Sequence, residues 1–167
     1  MEFLNPDNAM KYAKAAAEEL KDSPLRAALN TAVTKSARLV QRIDRVDAYY
    51  YIVTLHVGAR DTARVIVDAF DGKTREIGGV TESHASLPPF IAESDAMGKL
   101  FSESRITPKW EINLRTGLVG LHPVLVWRPC RESASPLMPF YQFSVGNAFV
   151  YLRVDGRLCA TLTTGPA

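Results

Sequence analysis

Ala63-Arg64-Val65-Ile66-Val67-Asp68-Ala69-Phe70-Asp71-Gly72-Lys73 is a β-prone run that breaks at an Asp-Gly pair followed by a basic residue. Phe149-Val150-Tyr151-Leu152-Arg153-Val154-Asp155-Gly156-Arg157 repeats that order in the second half of the chain. Asp-Gly between apolar runs is the strongest short-range hairpin signal, because glycine accepts the positive φ that a tight turn needs. Two such endings predict a tandem of small antiparallel sheets, so the fold class expected is α+β with two helix-on-antiparallel-sheet halves. A scaffold of this kind does not name a function, which has to be argued from sites carried on it.

The composition agrees with that frame. A chain of 167 residues is long enough for two small halves, and 47% hydrophobic with 23% charged residues is ordinary for a globular protein and unlike a disordered one. The division expected is residues 1–80 for a first half, 81–92 for a linker and 93–167 for a second half. No apolar run approaches the ~20 residues that a bilayer requires, so no membrane association is expected. Met1-Glu2-Phe3-Leu4-Asn5-Pro6-Asp7 lacks the basic region and apolar stretch of a signal peptide. The expected location is cytoplasmic, or secreted if an upstream segment was removed. Cys130 and Cys159 cannot form a disulfide framework and lack metal-ligand spacing, so they read as free thiols. A net charge of +2 is too small for the clustered basic face of a nucleic-acid binder. Neither a metal nor a cofactor is implied.

Along the chain, Asn5-Pro6-Asp7 is a helix start: a side-chain cap, a proline at the first helical position and an acid near the positive end of the dipole. The alanine-rich stretch to Lys21 continues it. Asp22-Ser23-Pro24 starts a second helix by the same chemistry, with Leu25, Ala28, Leu29, Ala32 and Val33 on one face. From Arg38 the period changes to two, and strands read at 38–44, 48–57, 62–70 and 74–77. Tyr49, Tyr51, Val53, Leu55 and Val57 share the face expected to be core, with Tyr50, Ile52, Thr54 and His56 on the other. Gly78 to Pro89 reads as the linker. A helix then follows at 94–104, where Ala96, Met97, Leu100 and Phe101 form a stripe. Alternation resumes at Trp110, Ile112 and Leu114, a turn at Arg115-Thr116-Gly117, an apolar run at 118–127, and strands at 140–145, 148–154 and 158–163.

A helix followed by antiparallel strands that wrap it is the layout of the cystatin-like fold. Leu39-Val40-Gln41, a short polar hairpin and Tyr49-Tyr50-Tyr51-Ile52-Val53-Thr54-Leu55 are similar to the strand, hairpin and strand of cystatins. Where a cystatin inhibitor carries Gln-x-Val-x-Gly, this chain has Ile43-Asp44-Arg45-Val46-Asp47, so the protease-wedging motif itself is missing. Arg64 to Gly79, with Val-Asp-x-x-x-Gly-Lys, resembles the end of PepSY domains, small modules that accompany or restrain peptidases. The two resemblances imply a non-catalytic, protein-binding role, as an inhibitor or accessory domain of a peptidase or another partner protein.

Trp127-Arg128-Pro129-Cys130-Arg131-Glu132-Ser133-Ala134-Ser135-Pro136-Leu137-Met138-Pro139-Phe140-Tyr141 is the densest unusual segment. A loop held rigid by its prolines and offering aromatic and arginine anchors is suited to a partner, since little entropy is left to lose on binding. The partner-binding candidates are Trp127, Arg128, Arg131, Phe140 and Tyr141; the plainer alternative is that Trp127 is core and the loop only joins strands. A different class of function places a nucleophilic or redox-active thiol at Cys130, lowered in pKa by two flanking arginines, with His84 as its base. His56 and His122 show no zinc spacing. Gly78-Gly79 and Gly117 with Gly120 lack the strand-to-helix setting of a phosphate loop. A third class is a small-ligand binder with its cavity between helix and sheet.

Overall fold

Asn5 caps the first helix as its side-chain chemistry dictates: Oδ1 accepts from the Asp7 amide at 2.8 Å, with Pro6 in the first turn. The computed structural model describes residues 2–20, 25–81, 86–103 and 122–164. They form an α+β protein of two units, Met1–Pro88 and Pro89–Ala167. Helix α1, Pro6–Glu18, buries Ala9, Ala13 and Ala17. Alanines four apart make a smooth face that lets the helix lie close to the sheet. Beneath it the core holds Tyr51, Val53, Leu55, Ala63, Val65, Val67 and Ala69.

The second helix is much shorter than its apolar spacing predicts. Helix α2 covers Arg26–Leu29, and Val33, expected on its face, instead opens strand β1, Val33–Arg42. Val33 and Thr34 are β-branched and pair with His56 and Leu55, so a ladder takes the residues that helical periodicity alone would have claimed. Asp22-Ser23-Pro24, the expected start of that helix, lies outside the described residues.

Strands β2 (Tyr49–Val57), β3 (Arg60–Asp68) and β4 (Thr74–Gly79) complete the first unit, antiparallel in the order β4-β3-β2-β1. Tyr51 stands opposite Leu39 and Val67, and Val53 opposite Ala37 and Val65, which puts Tyr51, Val53 and Leu55 of the predicted core set toward α1 with Tyr49 packed against them, whereas Val57, past the register shift after Leu55, is not part of this core. Burying a Val or Leu side chain stabilises by ~1.5–3 kcal/mol, so this layer contributes a large share of the unit's stability. The other face is a surprise: Val40, Tyr50, Ile52, Thr54, Arg64 and Ile66 are buried as well. The segment Ser86–Pro88, expected as free linker, is tied to this unit, with Leu87 N–H donating to the Asp61 carbonyl and the Arg64 guanidinium donating to the Pro88 carbonyl. Strand β4 continues through Gly79 because that residue has no Cβ, which would sit 2.8 Å from the Thr62 carbonyl oxygen.

In the second unit, helix α3 (Glu93–Glu103) buries Ala96 and Leu100 against Tyr141, Phe143, Val145, Val150, Leu152 and Val154. Strands β5 (Val124–Trp127), β6 (Phe140–Val145), β7 (Ala148–Arg153) and β8 (Leu158–Cys159) run antiparallel in sequence order. The last strand is two residues rather than the expected six, for a reason that belongs to the loop described below. The strand and turn signals at Trp110 to Gly117, and the first four residues of the apolar run after them, lie outside the described residues.

Candidate functional site

Both units gather an incoming strand-like residue, a Tyr hydroxyl and an Asp-Gly turn at one end. In the first, Leu4 N–H donates to the Ala69 carbonyl at 2.8 Å and the Leu4 carbonyl accepts from the Tyr51 hydroxyl at 2.6 Å. In the second, Ile91 N–H donates to the Val154 carbonyl at 3.0 Å and the Ile91 carbonyl accepts from the Tyr141 hydroxyl at 2.8 Å. Gly72 and Gly156 carry the positive φ expected of the turns, 72° and 93°. Each turn is closed by two main-chain bonds, Asp68 N–H to Lys73 O with Gly72 N–H to Asp68 O, and Arg153 N–H to Arg157 O with Gly156 N–H to Arg153 O, the second turn being one residue shorter than the first.

At this end of the first unit stands the hairpin that joins β1 to β2. Arg42 forks onto the Asp44 carboxylate at 3.0 and 2.6 Å, stiffening the turn. Burial raises the Asp44 pKa, but the hydrogen bond and charge of Arg42 outweigh it and hold the carboxyl below its usual range. Asp47 takes a positive φ of 51°, and Val46 at the tip is 91% exposed. Beside it Phe3, Tyr49 and Phe70 pack ring to ring, with centroids 4.9, 5.2 and 6.2 Å apart. With Asp47 they line an open depression of about 430 Å3. None of these is a site candidate from the sequence: the three rings come from distant segments, and Val46 lies in the hairpin whose departure from the cystatin motif argued only against protease wedging.

In the second unit β5 and β6 are joined by the Pro-punctuated loop from Arg128 to Pro139. Cys130 and Ser133 form an isolated antiparallel bridge, and the buried Ser133 hydroxyl lies 3.0 and 2.8 Å from the carbonyls of Ser135 and Met138, donating to one at a time. Trp127, Phe140 and Tyr141 are buried, at 5, 0 and 3% exposure, so three of the five partner-binding candidates are core side chains. Their aromatic surface is spent on packing, as with the T-shaped pair of Phe140 and Tyr151. The other two candidates lie on the loop: Arg128 Nη2 donates to the Leu162 carbonyl at 2.7 Å, and the exposed Arg131 donates its backbone N–H to the Thr163 carbonyl at 3.3 Å. Between them Glu132, which sequence reasoning did not select, accepts from the Thr163 amide at 2.8 Å and the Thr163 hydroxyl at 2.6 Å. These bonds explain why β8 stops at Cys159: the following residues leave the ladder and bind this loop instead.

The thiol chemistry meets a different environment from the one the flanking arginines suggested. Cys130 is fully buried, and burial pushes its thiol above the ordinary range, where little thiolate exists at neutral pH. Arg128 is turned toward Leu162. His84, the candidate base, lies outside the described residues. His56 donates from Nδ1 to the Gly58 carbonyl at 2.8 Å, and the exposed His122 stands 3.7 Å from Glu93. Among the described residues no three His, Cys, Asp or Glu side chains converge on a metal position. No helix among them is long and apolar enough to cross a membrane. A separate cavity of about 380 Å3 opens where α1 and α2 meet the sheet, lined by Lys14, Ala17, Leu29, Asn30 and Leu55 among others. The chain matches no known family profile, no curated protein and no solved structure.

Proposed function

We propose that this chain is a non-catalytic, protein-binding module made of two copies of one helix-on-sheet unit, each presenting its loop end to a partner protein. Support for the two copies comes from spacing. Ala9, Tyr12 and Ala13 follow Leu4 by the same intervals at which Ala96, Lys99 and Leu100 follow Ile91, and Tyr12 and Lys99 each face the Cα of their unit's turn glycine. Tyr51 pairs with Val67 as Tyr141 pairs with Leu152, and Val53 with Val65 as Phe143 with Val150. The resemblance to cystatin-like and PepSY-like modules supports the same reading, with an inhibitor or accessory partner of a peptidase as the expected setting.

The observation that carries the binding role is Val46, an apolar side chain 91% exposed on a hairpin stiffened by Arg42 and Asp44, next to the half-exposed Phe3. A preformed apolar tip beside aromatic rings adds contact area at little entropic cost. Benzoylphenylalanine placed at position 46 of the intact protein, expressed in its native cells and irradiated, is expected to give a protein adduct, whereas the same group at the exposed Lys11 of α1 gives none. No adduct at position 46, or equal adducts at both, defeats this reading. A second reading, a small-ligand binder, is favoured by the cavity that Lys14 and Leu29 line; a saturable ligand that displaces environment-sensitive dye from that cavity supports it.

A further inference from the structure

The segment Leu162–Thr163 lies on the loop Arg128–Ser133 as a bound peptide lies on its receptor. Every polar group of Thr163 is engaged: its carbonyl by the Arg131 N–H at 3.3 Å, its amide by Glu132 Oε2 at 2.8 Å and its hydroxyl by Glu132 Oε1 at 2.6 Å. The preceding carbonyl, of Leu162, takes the Arg128 guanidinium at 2.7 Å. Two successive carbonyls are therefore engaged by two donors of the loop, the Arg128 guanidinium and the Arg131 N–H, as in main-chain recognition of a peptide. The Glu132 carboxylate reads an N–H and an O–H of one residue, a pair that serine and threonine supply. The Thr163 hydroxyl and amide in turn hold the Glu132 carboxyl below its usual range.

The receptor side is preorganised. The Glu132 carbonyl accepts from Arg153 Nη1 at 2.5 Å, and the same guanidinium forks onto Asp155 at 2.9 and 2.7 Å. Ser133 anchors the far side of the loop through its buried hydroxyl. The segment held, by contrast, belongs to no helix or strand after Cys159, and Thr163 is exposed. It is attached by polar bonds at the surface, the kind of contact that opens at low free energy.

We propose that the loop Arg128–Ser133 is a binding site for a non-helical segment of a partner protein bearing serine or threonine, and that Leu162–Thr163 occupies it in cis. The inference rests on the protein-binding reading and names the chemistry of the partner. A short tether keeps the internal segment at an effective concentration of the order of millimolar, so a partner segment enters when it binds more tightly or when the tether is displaced. Phosphorylation of the hydroxyl would set a phosphate against the Glu132 carboxylate, and alanine or glycine at that position forfeits one of the two bonds.

The test uses the full chain and a labelled peptide of residues 160–164, Ala-Thr-Leu-Thr-Thr, read by fluorescence anisotropy. Thr163→Pro removes the amide proton and the hydroxyl of the internal segment, so this variant is expected to bind the peptide at least about tenfold more tightly than the wild-type chain, the effect of one charge-assisted hydrogen bond. Adding Glu132→Gln is expected to return the affinity to the wild-type level, and a peptide with valine for its middle Thr (position 163) is expected to bind several-fold more weakly. Equal binding by wild type and Thr163→Pro, or no effect of Glu132→Gln, overturns the proposal. Should Thr163→Pro lose its dispersed amide spectrum, Thr163→Ala makes the same comparison without the proline. A failure here leaves the crosslinking at position 46 untouched, so the two readings fall separately.

Discussion

Gly72 and Gly156 each follow an Asp and take a positive φ, but would tolerate a side chain unequally. A Cβ on Gly72 would lie 2.6 Å from the Tyr12 ring, whereas on Gly156 it would meet the mobile end of Lys99 at 2.7 Å. Left-handed backbone costs an L-residue ~1–2 kcal/mol at either position. Gly72→Ala is therefore expected to lose more stability than Gly156→Ala in urea unfolding, because only the former displaces a ring; equal losses would mean that Tyr12 swings clear freely. Asp155 makes a second residue-scale case. The Arg153 hydrogen bonds hold its carboxyl below the ordinary range, more than burial raises it. A depressed folded pKa means that the stabilisation is fully present above the unfolded value, ~3.9, and is lost as pH falls through the folded one. Asp155→Asn is expected to destabilise the protein at pH 7 by about 1–2 kcal/mol, with the gap to wild type closing below roughly pH 4. Parallel urea curves at the two pH values check this. Cys130, buried and with its thiol pushed up, is expected to react with iodoacetamide at pH 8 only after unfolding.

Between elements, the two Tyr hydroxyls do equivalent work, fixing the residue that leads into a helix onto the strand beside it. Tyr51→Phe and Tyr141→Phe are each expected to cost about 1 kcal/mol, the usual value of one hydrogen bond, and to speed amide exchange in α1 and α3 respectively. Exchange that rises in the other helix instead would break the assignment. These elements were legible to the extent that their causes are local. The Asn5 cap, the positive φ of the Asp-Gly glycines and the extent of β2 were all readable, since each depends on neighbours within a few residues, whereas the burial of both faces of β2 was not. Helix α2 was misjudged because Val33 and Thr34 answer to partners on β2, and the apparent strand at 158–163 because Thr163 answers to Glu132. The same limit hid the candidate sites: Phe3, Tyr49 and Phe70 meet only after folding, and nothing in a local pattern tells a core Trp127 from an exposed one.

For the molecule as a whole, the proposed binding role separates function from stability at Val46. Exposed as it is, Val46→Asp is expected to change the unfolding free energy by less than about 0.5 kcal/mol, yet to abolish the adduct that a crosslinker at the neighbouring Arg45 forms with the partner; persistence of that adduct would move the contact elsewhere. The way each unit is fastened also has a consequence for its synthesis. Leu4 is held by Ala69 and Tyr51, and Ile91 by Val154 and Tyr141, so each leading residue reaches the ribosome exit long before the groups that secure it. At ~5–20 residues per second the interval is a matter of seconds. During it the alanine-rich α1 has been made but its sheet has not, and the nascent chain shows a holding chaperone or a protease an apolar helical face that the finished protein conceals.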